Sequence, residues 1–407
     1  MSSVGLQPES RETARALLLL AAFFVVLTTG AYLYSMAWSG SIPRDGTTLV
    51  MGRDFLNLWM YGRAAWLDDP GSWYDPARYN PALEAIVGAN YPGQNWTNPP
   101  SLILVMAPFG LLGYLPALLV WTVSSLILFL AVGRRHFADK RLLLAVVLSP
   151  AAVLCVISGQ TSLITTIMLV TIFAWLDRRP VPAGILIGLL SLKPQLGILF
   201  PIALIASARW RVFASAAVTT LALAAAAALI FGQQMWIDFV VKAIPMQNLV
   251  LIDPDRIATP FHPTIFMNLR GADLPYNLAM AVQLCFTAAA AGAVFWAFRY
   301  RRESDPILLM GLFLACTISS VPYFMAYDTL ALTLAALLLL DQRLLDPSGR
   351  RMVLLVYWLT VAQMAFGNWH IPGPALIAPA FAIYVLTRLR ASSSSPRAIE
   401  AMSITAR

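Results

Sequence analysis

RLLLAVVLSPAAVLCVISGQTSLITTIMLVTIFAWLDRRPVPAGILIGLLSLKPQLGILFPIALIASARWR, residues 141–211, decides what kind of protein this is. Its charges sit at the seams: Arg141 at the start, Asp177-Arg178-Arg179 in the middle, Arg209 and Arg211 at the end. Between them the apolar residues come in runs, with neither the alternation of a half-buried strand nor the one-sided stripe of a surface helix. A segment that is apolar all round must be hidden from water, in lipid or inside a bundle. The spacing predicts two hairpins of apolar helices, 142–157 with 162–176 and 181–192 with 195–208. Their turns fall at Ser158-Gly159-Gln160-Thr161 and Lys193-Pro194-Gln195, on the side opposite the arginines. Lys193 is the one charge in this stretch that does not lie at a basic seam.

The rest of the chain reads the same way. Hydrophobic residues make up 59% of the 407 and charged residues 12%, about half the charge of a soluble domain. The mean hydropathy is +0.71. The formal net charge of +8 does not mark a nucleic-acid surface, because the basic residues lie in short clusters between apolar runs rather than along one stripe. Such clusters mark the cytoplasmic side of a membrane protein. Cys155, Cys285 and Cys316 all lie inside apolar runs, so neither a disulfide framework nor a zinc knuckle is available.

The pattern predicts an all-α polytopic membrane protein with about 12 transmembrane helices in one domain, 1–390, and two long outer loops, 39–100 and 232–276. The run at 14–38 is too long for a secretory signal core and has no small-x-small cleavage site, so it reads as an uncleaved anchor. Residues 101–133 break at Pro108, Gly110 and Gly113 into a short interfacial helix and a true span. Further spans are expected at 212–231, 277–298, 306–321, 328–341, 352–367 and 372–388, with both termini cytoplasmic. The Ser/Arg-rich segment 391–407 reads as a disordered tail.

Polar groups that survive at membrane depth are costly and are functional candidates for that reason. Here they gather at the outer loops and hairpin tips. Asp54, in Gly52-Arg53-Asp54-Phe55, precedes a helix-like run of aromatic and apolar residues; it is either the cap of that helix or a catalytic base at the lipid boundary. Lys193, held between two half-length apolar runs and followed by Pro194, needs an anion: a carboxylate such as Asp54, or a ligand's phosphate. Gln160, Gln195 and His262, the last in Thr259-Pro260-Phe261-His262-Pro263-Thr264, are turn residues or neutral donors to phosphate or sugar. Asp68, Asp69 and Asp75 lie in a Pro/Gly-rich loop as turn formers. Asp328 and His370 also fall at outer tips.

Taken in order, Gly52-Arg53-Asp54-Phe55, Trp73-Tyr74-Asp75, Asn98-Pro99-Pro100, Ser158-Gly159-Gln160-Thr161 and Leu192-Lys193-Pro194-Gln195 resemble the bacterial glycosyltransferase family 87. The resemblance covers residues 50–270, and Asn98 stands where the family more usually has a tyrosine before the double proline. It implies a glycosyltransferase-C fold and a polyprenyl-phosphate-sugar donor, with mannose as the default sugar and a lipid or glycan as acceptor. It also implies a reaction on the periplasmic face of the inner membrane with no cofactor, in a fold whose members often need no metal, while the sequence neither demands nor excludes one; catalysis by one carboxylate without a covalent intermediate would invert the anomeric carbon. By that resemblance Asp54 is the general base, and Lys193, Gln160, Gln195 and His262 face the donor's phosphate or sugar. No strong second carboxylate for a retaining scheme stands out in the sequence.

Two other classes compete. A transporter or flippase calls for charges at mid-depth, paired broken helices or internal repeats, and the sequence shows none of these beyond the short runs around Lys193. A glycan ligase or polymerase would place several arginines in a large late loop; residues 232–276 hold Lys242, Arg256 and Arg270.

Overall fold

A computed structural model describes residues 8–38, 42–89, 91–92, 94, 96–253 and 257–391. Arg256 and residues 392–407, most of the expected tail, lie outside the described residues. The described chain is helical throughout, with two isolated β-bridges, Ala37 to Arg44 and Arg44 to Val50, in the first outer loop.

The path follows the charge seams. Helix α1 (Pro8–Tyr34) leads into the first loop, which carries α2 (Phe55–Ala64) and α3 (Pro76–Val87). Then come α4 (Ser101–Gly110) and α5 (Tyr114–Gly133), separated at Gly113 as the breakers predict. The first hairpin is α6 (Lys140–Val147), α7 (Pro150–Ser158) and α8 (Ser162–Trp175); the second is α9 (Pro180–Leu189) and α10 (Phe200–Ala206). Helix α11 (Trp210–Phe231) leads to α12 (Gln234–Asp238) and α13 (Ile244–Ile252), and α14 (Ile265–Gly271) closes the second loop. The last third is α15 (Tyr276–Tyr300), α16 (Pro306–Ser320), α17 (Leu330–Asp341), α18 (Pro347–Tyr357), α19 (Leu359–Gly367) and α20 (Ile377–Ala391).

Two expectations change. Among the described residues, six helical segments rather than twelve are long and apolar enough to cross a membrane, or seven if α6 and α7, bent by 47°, count as one span. The other apolar runs make helices of 10–17 residues, such as α4, α8 and α16. At 1.5 Å per residue, these fall short of a hydrocarbon core about 30 Å thick. The physical reason is visible in α16 and α17: from Leu308 to Ser320, and along all of Leu330–Asp341, every residue is buried. Their uniform apolarity answers to neighbouring helices rather than to lipid thickness. Second, 234–252, expected within a loop, is continuous helix with a π turn at Phe239–Ala243, and Gln234–Ile252 is long and apolar enough to be a span itself.

Glycines set the closest contacts. A Cβ on Gly110 would lie 2.1 Å from the Gly62 carbonyl carbon, so α2 and α4 cross backbone to backbone. Gly184 and Gly188 admit α11 in the same manner, with Ser215 and Thr219 side chains at 2.5 Å from the added Cβ positions. Small residues at crossings are how helices pack where no water drives association. At the arginine-rich end, the Asp341 carboxylate accepts from the backbone N–H groups of Ala138 (2.7 Å) and Asp139 (3.0 Å), and Arg209 pairs with Asp177 at 2.8 Å. The hairpin tips lie at the other end of these helices.

Candidate active site

The turn before α2 is held in an uncommon conformation. Gly52 has φ +83° and Arg53 φ +38°, both in the left-handed region, where a side-chain-bearing residue is strained. The surroundings over-determine it. Tyr114 Oη donates to Met51 O at 2.6 Å, Gln94 Nε2 to Arg53 O at 3.1 Å, and the Arg53 guanidinium pairs with Asp45 at 2.6 Å. Asp54 comes out of this turn at the N-cap position of α2, yet its side chain makes no capping hydrogen bond. Asp75, at the start of α3, does cap, accepting from Ala77 N at 3.0 Å. The capping explanation of Asp54 therefore fails.

Asp54 is instead engaged from the first hairpin tip. Gly159 ends α7 at φ +61°, and a Cβ there would lie 2.5 Å from Phe55 Cβ, so only glycine lets the tip approach this closely. Trp121 Nε1 donates to Gly159 O at 3.0 Å and fixes the contact. Gln160, the next residue, donates from Nε2 to Asp54 Oδ2 at 3.2 Å, while its Oε1 accepts from Thr161 N at 3.2 Å. The Tyr327 hydroxyl approaches the same carboxylate. Asp54 is half-buried among these groups. Loss of hydration raises its carboxyl above the ordinary value, against the lowering effects of Gln160, Tyr327 and the Lys193 and Arg53 charges.

Lys193 sits in the break between α9 and α10, where the chain makes two short 3-10 turns, Leu190–Leu192 and Pro194–Leu196. Its partner is Asp328 rather than Asp54: Nζ lies 2.6 Å from Asp328 Oδ1. Thr161 Oγ1 is 3.4 Å from the same ammonium, and the Tyr327 ring lies below it at 5.0 Å. Ser162 Oγ donates to Asp328 Oδ1 at 2.6 Å. Two carboxylates, a lysine, a glutamine and a tyrosine thus converge from four stretches of chain. Asp328, on the 3-10 turn Ala326–Thr329, and Tyr327 beside it are absent from the site expected from sequence. An aspartate at an outer tip, beside an apolar run, was the available signal for Asp328; Tyr327 carried none.

The remaining expected residues lie at the margin. Gln195 is half-buried two residues beyond Lys193 and makes no side-chain hydrogen bond to the described residues. His262 is 3% exposed; its Nδ1 is 3.1 Å from Phe324 O, and its ring packs at 4.6 Å from that of Tyr323. Burial pushes the imidazole down to about 4, so it is neutral near pH 7 and Nδ1 is the donor to Phe324 O. With Thr264 Oγ1 donating to Pro322 O at 2.9 Å, it ties the second loop to the 322–328 segment. Among the described residues no group of three His, Cys, Asp or Glu is placed to hold a metal.

The architecture is that of a helical membrane protein with a cluster of polar side chains at the end opposite its arginine-rich seams. Sequence comparison gives its family: residues 96–326 match the profile of glycosyltransferase family 87, more than half of the chain, and the protein belongs to that family. The match includes Gln160, Lys193, Gln195 and His262, and leaves Asp54 and Asp328 outside it. Two relatives from strains of Mycobacterium tuberculosis, each named alpha-(1->3)-arabinofuranosyltransferase, are 27% identical over 233 residues, 54% of this chain and 52% of theirs. The chain thus spans about half the length of the curated relatives it matches. No solved structure matches it.

Proposed function

We propose that this protein is an inverting membrane glycosyltransferase of the glycosyltransferase-C type. It moves a sugar from a polyprenyl-phosphate donor to a lipid or glycan acceptor at the outer face of a bacterial inner membrane. The observation that carries the reading is Asp54, a carboxylate at a helix start that caps nothing and turns toward Gln160 and Lys193. A carboxyl raised by burial is a better proton acceptor than an ordinary one, which suits a general base. The acceptor hydroxyl would give its proton to Asp54 as its oxygen attacks the anomeric carbon. The bond from that carbon to the phosphate oxygen breaks, and the electron pair leaves with the lipid phosphate. Lys193 faces the charge that grows there, with Gln160 as a neutral donor beside it and Gln195 and His262 bordering the site.

Asp328, an outer-tip residue not assigned to the site from sequence, adds a second carboxylate, but its Oδ1 is engaged by Lys193 and Ser162 and the group is turned away from solvent. That favours a single-displacement, inverting scheme over a retaining one. Mannose is the default donor sugar by the family resemblance; arabinofuranose is the second reading, favoured by the names of the two relatives. The test is transfer by the purified protein from polyprenyl-phosphate-mannose and polyprenyl-phosphate-arabinofuranose to membrane-lipid and glycan acceptors, with the product's anomeric configuration read by NMR. Transfer with inversion, lost in a folded Asp54→Asn protein, is expected. Retention of configuration, or full activity of Asp54→Asn, overturns the mechanism; no transfer from any donor overturns the function.

A further inference from the structure

We infer that Asp328 is a positioning residue: from the interior of the bundle it holds the Lys193 ammonium in one place for the donor's lipid phosphate. The inference rests on the glycosyltransferase reading and deepens it. Asp328 is 2% exposed and its carboxylate is reached by no solvent, so it does not itself meet substrate. Its Oδ1 accepts from both Lys193 Nζ and Ser162 Oγ at 2.6 Å, joining segments 135 and 166 residues away in sequence. Its Oδ2 is buried without a hydrogen-bond partner.

Stability does not account for this arrangement. A buried ion pair roughly cancels its own desolvation, and a carboxylate oxygen left unpartnered adds to the cost. What the pair does supply is order. A lysine stem has four rotatable carbons and a compact charge that can point many ways. Lys193 is pinned on one side by Asp328, rests over the Tyr327 ring at 5.0 Å, and keeps 14% of its side chain accessible. Tyr327 and Asp328 are neighbours on one 3-10 turn, and Tyr327 also approaches Asp54. One rigid turn therefore sets the spacing between the cation and the base. A leaving group is stabilised by charges already in position when the bond breaks, which is what such a scaffold achieves.

The test is a double-mutant cycle on the purified full chain: parent, Asp328→Asn, Lys193→Met and the double variant, with farnesyl-phosphate-linked mannose and arabinofuranose as donors. Each single change is expected to lower kcat/KM for the donor about 10- to 100-fold, as for loss of a charge-assisted hydrogen bond. The acceptor KM should be unchanged, and the double variant should be no slower than Lys193→Met alone. Activity of Asp328→Asn within about threefold of the parent, or losses that multiply in the double variant, overturn the inference. If Asp328→Asn does not fold, Ser162→Ala, which loosens the carboxylate but leaves the pair, should cost activity only where Lys193 is present; an equal cost in Lys193→Met overturns it. If the parent turns over no donor, the function fails, and the inference is read separately. The three lysines, Lys140, Lys193 and Lys242, are tagged by reductive 13C-methylation and titrated with farnesyl phosphate. A shift of the Lys193 signal in the parent that is lost in Asp328→Asn supports the inference, and its persistence in Asp328→Asn, or no shift in either, overturns it.

Discussion

Replacing Gln160 with leucine removes one hydrogen-bond donor, at 3.2 Å, from the Asp54 carboxylate, and with it the side-chain acceptor of Thr161 N, while Gly159 and the Trp121 contact that seat the tip remain. Burial raises the Asp54 carboxyl and Gln160 is the largest of the contacts that lower it, so the variant's carboxyl should rise further. A hydrogen bond to a charged group contributes about 1.5–3 kcal/mol. The contact is long and Asp54 is only half-buried, which places it at the low end. Division by about 1.36 kcal/mol per pH unit gives a shift of about one unit. The acid limb of kcat/KM for sugar transfer reports the free enzyme's essential base. In the parent that limb should lie above the ordinary carboxylate range; in Gln160→Leu it should move up by about one unit, whatever the height of the plateau, which also falls as a donor to the leaving phosphate is lost. Asp54→Asn should lose the limb altogether, with a rate about 100- to 10,000-fold lower. The assay is initial transfer rate against pH at limiting donor, with folding checked by gel filtration in detergent. A limb that stays within about 0.3 unit of the parent's, or moves down, refutes the pairing of Gln160 with the catalytic base. A limb that persists in Asp54→Asn refutes the base itself.

Two further outcomes follow from the packing. His262 is held neutral with a carboxylate-like value of about 4, against about 6.5 when unfolded. Below about pH 6.5 the unfolded chain takes up a proton that the folded protein refuses, so folding stability should fall with pH down to about 4, by up to roughly 3 kcal/mol. His262→Gln should flatten the dependence of the melting temperature between pH 7 and 5; an unchanged slope refutes the assignment. Gly110→Ala forces a Cβ to within 2.1 Å of Gly62 backbone, which no rotamer change can relieve. It should cost about 1–3 kcal/mol and, because α2 begins at Phe55, should also lower transfer activity; a melting temperature equal to the parent's contradicts the backbone contact.

Apolar runs, basic seams and breakers determined that this is a helical membrane protein, because transfer of a side chain out of water depends on composition alone. They placed the hairpin tips at Ser158-Gly159-Gln160-Thr161 and Lys193-Pro194-Gln195, where the structure has them. The same local rules could not say what a run is hidden from. Lipid and the interior of a bundle are equally dry, so α16 and α17, wholly buried and short, read as spans, while Gln234–Ile252 read as loop. Asp54 at a helix start had a local explanation as a cap, and only the tertiary structure removed it, by bringing Gln160 across 106 residues to its carboxylate. Lys193 announced from sequence that it needed an anion, but two carboxylates were within topological reach. The choice of Asp328 was made by which helices cross, at Gly159 against Phe55 and at Ser162 against the 326–329 turn. Solvent preference is a property of a segment and is legible residue by residue; the partner of a buried charge is a property of the packing between segments, and it exists only once they have met.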